Sequence, residues 1–284
     1  MSPWLTLSLA VLFVSFGAIL VRLAAAPPLA VSFYRVAIAS LLLLPFAARD
    51  AQRSWPGLDR RRRLLLLASG LALALHFATW IASLSYTTVA SSVLLVNTAP
   101  LFALVLSRLF LGEHAPGVVK AALPVAFAGA ALIALGDWTG SPGSLLGNAL
   151  AVAGAVTVAA YQVIGRGLRA ALPLNAYVLG VWATAAVALA AMAFAFEVPL
   201  AGYDRRTWLL FAALAVVPTI GGHGLVNKSL RSLPAPTVGL FLLGEPVLAS
   251  LFAWLLFRET PGPWTLAGGA IVLAALGLVL ARRG

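Results

Sequence analysis

Ten stretches of about twenty predominantly apolar residues follow one another in this chain, and few folds can accommodate them. They cover residues 4–23, 29–48, 64–85, 88–110, 117–135, 147–168, 174–196, 207–228, 235–257 and 263–281, mostly with short connections. An α-helix needs about 20 apolar residues to cross the hydrocarbon of a bilayer. Closed barrels are the other spanning solution, but these runs lack the period-2 alternation of barrel strands. Composition points the same way. Of the 284 residues, 62% are hydrophobic and 10% charged, against about 45–50% and 25% in soluble domains. A lipid-facing exterior absorbs that excess; a single buried core does not. The expected fold is an all-α polytopic membrane protein with ten transmembrane helices, a single membrane domain over 1–284.

Residues 4–23 with Ala24-Ala25-Ala26 resemble a secretory signal peptide. Met1-Ser2-Pro3 carries no Lys or Arg, however, and the run is long for an h-region, so it is read as the first span. The chain has no cysteine, which removes disulfides, thiolate metal sites and thiol nucleophiles.

The formal net charge is +11, which in a soluble protein would hint at nucleic-acid binding. Here the basic residues sit between apolar runs and report topology instead. Fourteen of the 19 lie on the side of the N-terminus, among them Arg49, Arg53, Arg108, Lys120, Arg166 and Arg169. Arg22, Arg205, Arg206 and Arg258 lie on the other side, and Arg35 lies within the second span, where it reads as a residue that snorkels or pairs near the interface or as one that binds a carboxylate. The positive-inside rule then makes both termini cytoplasmic, in an inner membrane of bacterial type, with no nucleic-acid partner. The run Arg60–Arg63 reads either as a topology determinant touching anionic headgroups or as a specific lipid or partner site.

An internal repeat organises the spans. Pro100 and Pro246 are 146 residues apart, as are Glu113 and Glu259, and Ser83-Leu84 recurs as Ser229-Leu230 at the same offset. The expected units are 1–137 and 147–284, each of five spans. An odd number inverts the second copy in the membrane. Inverted repeats are a device of secondary transporters, which expose one midplane site to each side in turn.

A Pro inside the fourth and ninth spans, each followed by an apolar run ending in Gly112-Glu113 or Arg258-Glu259, resembles the drug/metabolite transporter superfamily. The likeness is to EamA-type ten-helix exporters, and most to bacterial amino-acid exporters of the YddG kind. It implies export of amino acids, other metabolites or drugs, and no cofactor. A Glu-Pro pair such as Glu245-Pro246 resembles a frequent feature of the family whatever the substrate.

Polar groups at membrane depth are costly and tend to face a cavity or a partner. In the third span Ser69, His76, Trp80 and Ser83 share one helix face, bordered by Thr79; in the eighth, Thr219, His223, Asn227 and Arg231 recur every four residues. Two such stripes fit a central pocket or interhelical hydrogen bonding. The fourth span adds Ser91, Asn97 and Thr98 beside Pro100, and the sixth Thr157, Tyr161 and Gln162. Glu245, mid-span before Pro246, reads as a proton-coupling group, as an anchor for a substrate ammonium, or as a brace for backbone groups freed by the proline. Pro218-Thr219-Ile220-Gly221-Gly222-His223-Gly224 is the most broken stretch of any span, suited to a cavity wall or to close packing. Kinks are expected at Pro100, Pro218 and Pro246. The candidate pocket is therefore His76, Thr79, Trp80, Ser83, Asn97, Thr98, Tyr161, Gln162, His223, Asn227 and Glu245, with His76, His223 and Glu245 as proton carriers.

These features favour a secondary exporter of small metabolites, foremost amino acids, working by alternating access among membrane lipids, with a monomer sufficient in principle. A multidrug or other metabolite carrier is the alternative of the same fold. No Gly-x-x-x-x-Gly-Lys-Ser/Thr occurs, so the chain itself uses no ATP. A membrane-embedded enzyme would need a nucleophile–base pair or a metal cluster, and no His-x-x-x-His, His-Glu-x-x-His or paired intramembrane carboxylates occur. A passive channel would need a repeat of selectivity-filter character, which is absent. A phosphate-bearing cargo would ask for Lys or Arg in the pocket, whereas the stripes carry His, Asn, Ser and aromatics.

Overall fold

The computed structural model describes residues 2–87, 89–136, 144–257 and 262–281, and every regular element among them is a helix. Trp138, Arg258, Glu259, Arg282, Arg283 and the side chain of Ser91 lie outside the described residues. The first span consists of α1 (Pro3–Val14) and α2 (Gly17–Ala24); the second is α3 (Pro28–Ser54) and the third α4 (Arg60–Ser83). The fourth is again in two pieces, α5 (Val89–Val96) and α6 (Ala99–Leu111). Single helices make the fifth, sixth and seventh: α7 (Gly117–Gly136), α8 (Ser144–Arg169) and α9 (Leu174–Ala195). The eighth runs from α10 (Arg205–Leu214) through a π-helical segment, Ala215–His223, into α11 (Gly224–Ser229). The ninth is α12 (Ala235–Leu242) then α13 (Glu245–Phe257), and the tenth is α14 (Pro263–Ala281).

The repeat is visible in element boundaries. Shifting α5 and α6 by 146 residues reproduces both ends of α12 and α13, and the starts of α3 and α7 map onto those of α9 and α14. Because five spans separate equivalent positions, equivalent helices run in opposite directions through the membrane.

Local chemistry explains where helices begin. Ser2 caps α1 by accepting from the Leu5 N–H at 3.2 Å, and Asp59 caps α4 by accepting from Arg62 at 2.7 Å. That cap offsets four arginines at a helix N-terminus, the end where cations are least favourable. Asp204 caps α10 at 2.8 Å, and its hydrogen bonds from Thr207 hold its carboxyl below the usual carboxylate range.

The breaks were expected as proline kinks and prove to be helix ends. Pro100 and Pro246 lie in the first turn of α6 and α13, where a missing N–H costs nothing. Backbone groups at the breaks are covered locally, as membrane depth demands: Ser15 donates to Val11 O at 2.7 Å, Asn97 to Val93 O at 2.8 Å and Thr98 to Leu95 O at 2.7 Å. Pro218 works differently. It lacks the N–H that would bond Leu214 O four residues back; the π-helical turn bonds five residues back instead, and Thr219 Oγ1 also donates to Leu214 O at 2.8 Å.

The main helix pairings are α4 on α8, α7 on α14 and α3 on α9, with α1 lying along the π segment. The Gly-rich stretch permits that last contact: a Cβ on Gly222 would sit 2.5 Å from Val14 Cγ1 and 3.1 Å from its backbone N. Gly222→Val should therefore lower stability by about 1–3 kcal/mol, read as a fall of about 3–10 °C in the thermal midpoint in detergent. Gly277→Ala, which meets nothing within 4 Å, serves as the neutral control.

Candidate functional site

The discontinuities of the first, fourth, eighth and ninth spans meet around one internal cavity of about 60 Å³. Gly17 opens α2, Asn97 ends α5, Pro218 and His223 belong to the π segment, and Glu245 opens α13; all line it. Its remaining polar wall is Arg35 from α3, His76 and Trp80 from α4, and Gln162 from α8. The volume suits a few waters and is far below the roughly 300 Å³ at which drug-sized ligand sites begin.

Arg35 is the residue that sequence reading misplaced. It was expected to pair or snorkel near the interface, yet it is 1% exposed and forms part of the cavity wall. Its Nε donates to Thr219 Oγ1 at 3.2 Å, and its guanidinium carbon lies 4.0 Å from the centroid of the Phe77 ring. Thr219 thus receives from Arg35 while donating to Leu214 O, so the hydroxyl that bonds the backbone beside Pro218 also orients the buried cation. No carboxylate meets Arg35: the ion pairs among the described residues are Arg62–Asp59 and Arg166–Glu113. Glu245 lines the same cavity, within electrostatic reach of Arg35, and takes a hydrogen bond from the Asn97 side chain.

The other cavity groups are held with capacity to spare. His76 Nδ1 lies 3.0 Å from Gly154 O, an acceptor, so Nδ1 carries the proton and Nε2 is the free edge. The His76 ring is parallel to Trp80 within 3° at 5.8 Å, and 6.3 Å from the His223 ring. Nine buried side-chain atoms among the described residues have no partner in the protein, and four belong to cavity residues: Arg35 Nη1, Trp80 Nε1, Gln162 Oε1 and His223 Nδ1. Buried polar atoms are normally paired, and four of the nine unpaired ones belong to residues around this single cavity.

Of the candidate pocket residues, His76, Trp80, Asn97, Gln162, His223 and Glu245 line the cavity together. The other five do not. Ser83 bonds Ser92 at 2.6 Å, tying α4 to α5. Asn227 donates to the Tyr161 hydroxyl and, at 2.8 Å, to His223 O. Thr79 and Thr98 turn back on their own helices, to Leu75 O and Leu95 O, each at 2.7 Å. The stripes therefore divide: some members line the cavity, and others bond along or between helices. Ser69 likewise ties α4 to α9, through the Tyr177 hydroxyl at 2.8 Å.

On the N-terminal side the cavity is sealed. A Cβ on Gly239 of α12 would lie 2.9 Å from the Pro100 ring of α6, so the two helices touch backbone to ring. The symmetry-equivalent pair on the far side, α5 and α13, packs much less closely. Beyond the seal, Arg166 at the end of α8 binds the Glu113 carboxylate with Nε and Nη2, both at 2.9 Å. Its Nη1 reaches Leu230 O at 3.1 Å and Arg231 O at 2.8 Å, just past α11. One guanidinium thus ties together the N-terminal-side ends of the fourth, sixth and eighth spans. A half-exposed pair of this kind is worth about 1 kcal/mol. With a single cysteine at Leu242 on the cavity wall, Glu113→Gln should raise maleimide labelling from the N-terminal side about fivefold. An unchanged rate would mean that the tie does not control closure.

A family model described as the EamA-like transporter family matches the chain twice, over residues 1–135 and 145–281. The pseudopaline exporter CntI of Pseudomonas aeruginosa is 28% identical over 264 residues, covering 91% of this chain and 88% of its own. A probable terminal-alkyne amino-acid exporter of Streptantibioticus cattleyicolor is 29% identical over 194 residues, 66% of this chain and 63% of its own. One solved crystal structure superposes with a TM-score of 0.81 at 21% identity, covering 99% of this chain and 98% of that one, a likeness of fold. With ten spans, two matched halves and a polar cavity at their centre, the chain belongs to the EamA-like transporter family and is a membrane transporter.

Proposed function

We propose that this transporter exports amino acids, binding them as zwitterions between Arg35 and Glu245. The observation that carries the reading is the pair itself: a guanidinium and a carboxyl group lining one buried cavity without an ion pair between them. A buried charge left unpaired is expensive, and an α-amino acid supplies both missing partners. Its carboxylate is received by Arg35 Nη1 and Trp80 Nε1, two donors without acceptors in the protein. Its ammonium is received by Glu245. A phosphorylated cargo fits less well, since Arg35 is the one Lys or Arg among the lining residues. Two relatives named as exporters, one of them of an amino acid, support the direction and the class.

The mechanism is alternating access by the halves 1–137 and 147–284. Contact between α6 and α12 closes the N-terminal side here; the equivalent contact between α5 and α13 closes the far side in the opposite state, while the cavity widens around cargo. The lopsided charge distribution puts both termini in the cytoplasm of an inner membrane, so the sealed side faces the cytoplasm. The lining of the cavity by one chain supports a monomer as the working unit. Glu245, His76 and His223 are the groups through which protons couple to transport. If replacing all three leaves the pH dependence of transport in proteoliposomes unchanged, that coupling is wrong.

Counterflow in proteoliposomes, run with a panel of labelled amino acids, tests the substrate class and separates a carrier from a pore. Trans substrate should accelerate uptake. Arg35→Gln and Glu245→Gln should each lower it at least tenfold, in line with the cost of about 2–5 kcal/mol for truncating one partner of a buried charge pair. Arg35→Gln should also abolish the preference for a free amino acid over its amide. A preference that survives the substitution rules Arg35 out as the carboxylate site.

A further inference from the structure

A second cavity lies on the membrane-facing surface, away from the transport path. It is a groove of about 930 Å³ between α3, α4 and α9, confined to the half of the bilayer on the N-terminal side. Small residues make it deep: Ala48 and Ala51 on α3, Gly180 and Ala183 on α9. Leu67, half exposed, and Leu44 form its apolar walls. At its mouth stands Arg63, whose Nη2 donates to Pro56 O at 3.1 Å and is thereby held over the turn between α3 and α4. Around that turn Arg53, Arg60 and Arg61 are exposed, and none of them is in a described ion pair. The two nearby carboxylates are already engaged, Asp59 with Arg62 and Asp50 with Asn175. Trp55 lines the groove, and its indole N–H has no acceptor in the protein.

We propose that this groove is a binding site for an anionic phospholipid, with an acyl chain along α3 and α9 and the phosphate on Arg63 and its neighbours. Shape and charge act together in this groove. An apolar slot open to hydrocarbon accepts a lipid tail of any headgroup. The uncompensated arginines at one end select a negative one, at about 1 kcal/mol for each basic residue near the surface. The site is independent of cargo: it stands on the spans and the groove, whatever the central cavity carries.

The test is thermal unfolding of the purified full chain in neutral detergent, titrated with phosphatidylglycerol or phosphatidylcholine at equal mole fraction. Phosphatidylglycerol should raise the midpoint by about 3 °C more than phosphatidylcholine, and inorganic phosphate should not reproduce the rise. The triple substitution Arg60→Gln, Arg61→Gln, Arg63→Gln, at exposed positions, should remove the difference. Ala183→Leu, which narrows the groove without touching a charge, should reduce it at least by half. Equal response to both lipids overturns the proposal. So does a difference that survives Ala183→Leu undiminished, because headgroup attraction to the arginines alone would then account for it. If Ala183→Leu does not fold, Ala48→Leu on the opposite wall replaces it, read the same way.

Discussion

Backbone groups inside a bilayer have no water to bond, and that constraint shapes everything else here. It requires helices at every crossing, yet a transporter needs irregular backbone at its centre. The chain reconciles the two by interrupting four spans around one cavity and covering backbone groups at three of the interruptions with its own side chains. Ser15, Asn97 and Thr98 cover carbonyls at two of the gaps. Thr219 covers the Leu214 carbonyl, which Pro218 cannot bond, and its oxygen then holds Arg35. Backbone pairing and the orientation of Arg35 share an atom.

Charge is distributed with the same economy. The membrane-buried charges belong to the central cavity, where Arg35 leans on the Phe77 ring and Glu245 on Asn97. On the N-terminal side a different arginine, Arg166, spends its donors on one carboxylate and two carbonyls and ties three spans together. Close packing connects these layers. Gly239 against Pro100 and Gly222 against Val14 bring backbones close enough that small displacements matter. Membrane helices associate through such small residues more than through apolar bulk.

Ten spans, their inverted halves and the offset of 146 residues were legible in the sequence because they depend only on hydropathy and self-similarity. The cavity was half legible. Period 3.6 put His76, Trp80 and His223 on the right faces, since a helix face is a local property. It did not separate them from Ser83 and Asn227, because which helix lies opposite is a tertiary fact. Ser83 meets α5 and Asn227 meets Tyr161 of α8. Arg35 was placed at the interface because hydropathy measures depth only along its own helix. Its partner Thr219 is 184 residues away in sequence. A lone arginine well inside an apolar run was the signal available, and it has no equivalent in the second half, where Val181 occupies the repeated position. The helix ends at Ser15, Thr98 and Leu243 left no hydropathy trace, since broken and continuous spans are equally apolar.

The claim on which the account turns is that the central cavity reads the two charged ends of an amino acid. Equilibrium binding of a free amino acid, its amide and its N-acetyl derivative to the purified wild-type protein tests it most directly. The account predicts measurable affinity for the free form and a loss of at least tenfold for each blocked form, the amide for want of a partner for Arg35 and the acetyl derivative for want of one for Glu245. Equal binding of all three would contradict it.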